Sequence, residues 1–168
     1  MIFDERDAAK CELAAEVLRS SGALRLQVTG RSMLPTIWPG DTLIIERIQR
    51  AAVSDGEIVL FGRDRRLFVH RLISRRSTPA TAGILTRGDA MSSPDPPLRE
   101  SDLLGKVSFI LRKDKRIRPR KSLRLPQRAV AAMIQRSDLV ARIVLRLHGM
   151  FQTPQVESPT QTLRIKTT

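Results

Sequence analysis

Between residues 24 and 112 the chain holds only short runs of β character, each closed by a Gly, Pro or Asp turn, with no helical pattern between them. The runs fall at Leu24–Thr29, Thr42–Ile48, Glu57–Phe61, Leu67–Ile73, Ile84–Arg87 and Leu103–Arg112. Alternating or continuous apolar character bounded by turn residues marks each as a strand. Many strands without intervening helices disfavour a parallel α/β architecture. The expected fold class is therefore mainly β, a curled antiparallel sheet or partly open barrel.

Helical patterns lie only at the flanks. Over residues 5–20, Ala8, Ala9, Leu13, Ala14, Val17 and Leu18 recur at three-to-four spacing with charges between them, and Ser20-Ser21-Gly22 ends the pattern. Lys113 to Arg124 is a dense basic run, expected to be a solvated hairpin or linker. From Pro126 to about Met150 a second helical pattern places Val130, Met133, Ile134, Val140, Val144 and Leu147 on one side and Arg128, Arg136, Arg142 and Arg146 on the other. Such a helix either packs on the β domain or lies in an anionic membrane surface. The expected division is an N-terminal helix over 1–23, a β domain over 24–112, a basic linker and helix over 113–151, and a flexible tail over 152–168.

Charge and composition narrow the partners. Thirty Lys and Arg against 17 Asp and Glu give a formal charge of +13, a field that attracts phosphates, anionic headgroups or acidic peptides. Aromatic residues make up only 4% and tyrosine is absent, so base-stacking platforms are poorly supplied and nucleic-acid binding is disfavoured, though left open. Cys11 is alone, which rules out an intramolecular disulfide framework. No apolar run reaches the ~18–20 residues that span a bilayer. The N-terminus carries Asp4, Glu5, Arg6, Asp7 and Lys10 where a secretory signal would be apolar. The expected location is cytoplasmic, with peripheral membrane contact through the basic C-terminal helix.

The stretch with most chemical content is Val28 to Ile45, VTGRSMLPTIWPGDTLII. A strand ends at a glycine, a serine follows two residues later, and Pro39-Gly40-Asp41 turns the chain into the next strand. A surface serine in a Gly/Pro turn is the plain alternative. However, Gly30-x-Ser32-Met33-x-Pro35-Thr36 followed by Gly40-Asp41 resembles the nucleophile box shared by type I signal peptidases and the self-cleaving repressors of the LexA type. The resemblance implies a peptidase β fold with Ser32 as nucleophile.

A serine hydroxyl needs a base within hydrogen-bond reach. In bacterial signal peptidases and self-cleaving repressors the base is a lysine, but the matching place here reads Phe68-Val69-His70-Arg71. It resembles the V-H-R box of endoplasmic-reticulum and archaeal signal peptidases and implies His70 as base. Leu85-Thr86-Arg87-Gly88-Asp89, with Asp95 six positions on, resembles the family's L-T-K-G-D box and its second aspartate. This implies Asp95 as the triad acid and Asp89 as a loop or site support. As plain sequence, both aspartates are also ordinary turn formers. Ala90 and Met91 replace the family's asparagines, and Gly30 replaces the hydroxyl residue that signal peptidases carry two positions before the nucleophile. Backbone N–H groups around Arg31 and Ser32 would then bind the oxyanion, with Gly30, Met33 and Pro35 completing the substrate side. Such chemistry needs no metal or organic cofactor.

The expected function is a serine endopeptidase acting on a precursor peptide or protein. Two rivals remain at this level: a non-catalytic peptide-binding module on the same fold, and a basic protein that binds nucleic acid or a membrane surface.

Overall fold

A computed structural model describes residues 5–48, 53–76, 83–136 and 163–165. Helix α1 spans Glu5–Ser21. The strands that follow are β1 (Ala23–Val28), β2 (Thr42–Arg47), β3 (Ile58–Arg63), β4 (Arg66–Arg76), β5 (Gly83–Arg87), β6 (Leu103–Arg112) and β7 (Lys115–Ile117). Helix α2 (Leu125–Arg136) and a short β8 (Leu163–Ile165) complete the described chain.

The strands form one sheet in the order β5-β4-β3-β6-β2-β1-β8, with β7 also paired to β6. All pairings are antiparallel except β1 with β8. The mainly β, antiparallel expectation holds. The sheet is open rather than curled into a barrel, because its hydrogen-bonded path runs from β5 to β8 without closing.

Sequence dictates the local geometry at several turns. The β3–β4 hairpin closes through Asp64 and Arg65, both with positive φ (49° and 59°), as a two-residue turn matched to strand twist requires. Gly40, at φ 92°, supplies the positive dihedral of the Pro39-Gly40-Asp41 turn. The basic run forms a hairpin with β6, in which Lys115–Ile117 pairs and the residues beyond it form an irregular stretch.

Three apolar clusters use the two faces of the sheet. Ala14 and Leu18 of α1 pack on Leu24, Leu26, Leu43, Ile45, Leu60, Val69 and Val107. Period-two alternation along the strands sends Val59, Phe61, Leu72 and Ile84 into a second cluster with Leu98 and Leu103. The third is small: Ile134 and Val130 of α2 meet Leu34, Trp38 and Ala90. Within its described residues the second helix therefore packs on the domain. The remainder of its expected length, 137–150, lies outside the described residues, as do 152–162 and 166–168 of the expected tail. Leu163–Ile165, within that tail, instead adds a strand to the sheet. No described helix is long and apolar enough to cross a membrane.

Cys11 lies half-buried beside the main cluster. Burial, followed by the nearby Asp7 and Glu12 carboxylates, raises its thiol pKa to about 11. Since the thiolate is the reactive species, iodoacetamide at pH 8 should alkylate Cys11 roughly a hundredfold more slowly than free cysteine. Timed intact-mass measurements would check this, and alkylation at the free-cysteine rate would contradict it.

Candidate active site

The loop joining β1 to β2 carries Ser32. Its base is closed by two backbone bonds, Val28 N–H to the Asp41 carbonyl (2.9 Å) and Gly40 N–H to the Val28 carbonyl (2.7 Å). Asp41 is buried and accepts bonds from Trp38 N–H and from the Arg112 guanidinium of β6. Arg112 also donates to the Thr36 carbonyl. Charge-assisted bonds of this kind are stronger than neutral ones, so the loop is clamped from a neighbouring strand rather than held by its own turns alone.

Strand β4 brings His70 to this loop. Its neighbours Phe61 and Phe68 lie with ring centroids 6.0 and 6.2 Å from the imidazole. His70 Nε2 lies 2.9 Å from Ser32 Oγ, and His70 Nδ1 lies 2.7 Å from Asp95 Oδ2. Both separations fall within the ~2.6–3.2 Å that joins a nucleophile to its base and the base to its orienter. Ser32 and His70 are buried, at 4% and 3% exposure.

Asp95 comes from the loop after β5, which folds back on that strand. Asp95 N–H donates to the Thr86 carbonyl (2.8 Å), and an Ile84–Leu98 bridge closes the loop beyond it. Pro94, Pro96 and Pro97 restrict the backbone around the aspartate. The Thr86 hydroxyl donates to Asp95 Oδ2 at 2.6 Å. Burial alone would raise the Asp95 pKa, but hydrogen bonds from His70 and Thr86, with the charges of His70 and Arg63, bring it below the ordinary 3.8.

The depressed Asp95 pKa fixes the sign of a pH effect. The carboxylate stabilises the fold above its unfolded pKa, and that contribution fades as pH falls through the lower folded value. The denaturation midpoint of wild type should accordingly exceed that of Asp95→Asn by more at pH 6 than at pH 3. A gap that widens on acidification would contradict the assignment. If Asp95 orients the His70 tautomer, the same substitution should also lower hydrolysis by about 10⁴-fold.

Asp89 lies outside the Ser32–His70–Asp95 chain of hydrogen bonds. Its two oxygens accept from Arg71 Nε (2.8 Å) and Nη2 (2.7 Å), and Oδ2 also accepts from the Thr36 hydroxyl. Arg71 further donates to the carbonyls of Gly56 and Arg120, both at 2.7 Å. Asp89 thus ties the loop after β5 to the serine loop and to β4.

Of the expected substrate-side residues, Arg31 is exposed, while Gly30, Met33 and Pro35 are buried. The Met33 side chain belongs to the main apolar cluster, so it anchors the serine loop from beneath rather than lining an open surface. Pro35 follows a cis peptide bond, and its carbonyl accepts from Trp38 Nε1 at 2.8 Å.

Sequence reasoning missed Thr36, Thr86, Arg71 and Gly88. Arg71 and Thr86 stood inside the quoted boxes, so their adjacency to His70 and to the Gly-Asp turn was a usable signal. Thr36 closes the serine box, but nothing in its spacing showed a partner in the later loop. A Cβ at Gly88 would sit 2.6 Å from the Ser32 carbonyl oxygen and 3.0 Å from Ser32 Cβ. Ala90 N–H donates to that same carbonyl at 2.8 Å. Gly88→Ala should displace the serine and slow modification of Ser32 by a fluorophosphonate about a hundredfold, the cost of a ~1 Å misplacement. A labelling rate within twofold of wild type would contradict this.

Residues 1–80 match the Peptidase S24-like family model, a span that includes Ser32 and His70 and stops before Asp95. A search of curated proteins found no match. The matched segment, together with the mainly β antiparallel fold, supports a relationship to the LexA-like and signal peptidase superfamily of serine peptidases.

Proposed function

We propose that the protein is a cofactor-free serine endopeptidase that cuts a precursor peptide or protein through an acyl-enzyme. The observation that carries this reading is the unbroken chain of hydrogen bonds from Ser32 Oγ through His70 to Asp95, at 2.9 and 2.7 Å. With Nδ1–H donated to Asp95, His70 presents an unprotonated Nε2 to the serine. As Ser32 Oγ bonds to the substrate carbonyl carbon, its proton passes to Nε2, and Asp95 stabilises the resulting imidazolium. The carbonyl oxygen becomes an oxyanion facing the backbone N–H groups around Arg31 and Ser32. His70 then protonates the amine as the C–N bond breaks. In the second half a water gives its proton to His70 as it attacks the ester carbon, and His70 passes that proton to Ser32 Oγ as the ester C–O bond breaks.

Asp89 and Arg71 serve this reading as positioning residues. They tie the serine loop to β4, the strand that carries His70, and so hold the nucleophile at its distance from the base.

Incubation of a mixed peptide library with wild type and with Ser32→Ala, followed by mass spectrometry, tests the reading. Fragments with new termini should appear with wild type alone. Equal fragment yields from both proteins would overturn it.

A further inference from the structure

The basic run ends in a segment that the fold holds in place. From Arg118 to Arg124 the chain is irregular, yet its backbone is fixed at three points. Pro119 restricts one dihedral. Arg71 of β4 donates to the Arg120 carbonyl at 2.7 Å. The Lys121 carbonyl lies so close to Gly56 that a Cβ there would stand 2.3 Å from its oxygen. A solvated linker would need none of these anchors.

The anchored segment lines a cleft of about 390 Å³ whose wall also includes Thr36 of the serine loop. Five arginines line this cleft and no carboxylate does. Two of the five are already balanced, since Arg71 pairs with Asp89 and Arg112 with Asp41. The other three, Arg118, Arg120 and Arg124, form no ion pair among the described residues. Arg118 is instead placed by Phe109, whose ring centroid lies 5.2 Å from its guanidinium carbon.

We propose that this cleft binds a phosphate group, carried by a free small molecule or by a lipid headgroup. A phosphate monoester brings about −1.5 to −2 charges and three acceptor oxygens at pH 7, and guanidinium forks bond such oxygens in pairs. A carboxylate brings a single charge and leaves most of the three cations unmatched. The cleft falls within the roughly 300–1,000 Å³ of small-molecule sites. Because the backbone is already anchored, binding carries little ordering cost. The site stands apart from the Ser32 chemistry and takes its ligand whether or not the serine is reactive.

Calorimetric titration of the full-length chain with inorganic pyrophosphate at physiological salt tests the site. A chain of charge +13 attracts any anion, so two variants that each lose two charges are compared. Arg120→Gln with Arg124→Gln removes cations of the cleft, and Arg25→Gln with Arg65→Gln removes exposed cations elsewhere. Wild type should bind one pyrophosphate. The cleft variant should bind it at least tenfold more weakly, the cost of losing one hydrogen bond to a charged group, and the control variant within twofold of wild type. Equal weakening in the two variants overturns the proposal.

Co-sedimentation with phosphatidylcholine vesicles, with and without phosphatidic acid, separates the two sources. Sedimentation that needs phosphatidic acid, is lost in the cleft variant and is kept in the control identifies a headgroup. Pyrophosphate binding without such sedimentation identifies a free phosphate. Folded wild type that binds neither probe overturns the proposal without reference to any variant. Ser32→Ala should bind pyrophosphate as wild type does, so failure of the peptidase reading leaves this site standing and failure of the site leaves that reading untouched.

Discussion

Replacing Ser32 with alanine should lower peptide hydrolysis by about a million-fold, the cost of removing a triad nucleophile, while leaving the melting temperature within a few degrees of wild type. The two halves of this expectation come from different features. The rate loss follows because an alanine offers no oxygen to form the ester. The small stability change follows from the clamps around the loop. Asp41, Arg112 and the Val28–Asp41 and Gly40–Val28 backbone bonds hold the segment independently of the Ser32 hydroxyl. Thermal melts and progress curves on the same preparation check both. Retained hydrolysis with an unchanged melt would remove Ser32 from the chemistry.

Arg71→Met should be the most destabilising single change near the site. The guanidinium and the Asp89 carboxylate have side-chain exposures of 8% and 3%. Methionine would fill much of the space but leave the carboxylate buried without its countercharge, and the Gly56 and Arg120 carbonyls would lose a donor. Breaking one partner of a buried pair costs about 3–5 kcal/mol, which for a chain of this size lowers the melting temperature by roughly 10 °C. Removing both charges is a different matter, because the desolvation cost disappears with them. Arg71→Met combined with Asp89→Leu should recover part of the loss. A single variant melting within about 2 °C of wild type, or a double variant less stable than the single one, would contradict the account.

Most strands were legible because each has period-two character between turn formers. β6 coincides with its expected range, and β1 to β5 differ by a few residues at their ends. The misses have physical causes. β7 lies in a run of Lys and Arg, where no apolar alternation reveals a strand. It pairs through the backbone, with Arg116 stacked over Phe109 at 3.6 Å. β8 is three residues long in a polar stretch, below the length at which periodicity carries information. The openness of the sheet was not readable, since strand number and turn signals are common to sheets and barrels.

The site divides along similar lines. Ser32, His70 and Asp95 came from residues that chemistry and resemblance both single out. Plain sequence could not separate Asp95 from Asp89. The separation lies in three dimensions, where β4 points His70 to one aspartate and Arg71 to the other. The Thr36 and Thr86 hydroxyls, each donating to one of those aspartates, were invisible for the same reason.

The most direct measurement is the intact mass of the protein after incubation with a fluorophosphonate. The account predicts one adduct on wild type, located at Ser32 by peptide mapping, with none on Ser32→Ala and a rate at least a thousandfold lower on His70→Ala. Folded wild-type protein that gains no adduct, or gains it equally without His70, would contradict the claim that Ser32, His70 and Asp95 form a working nucleophilic triad.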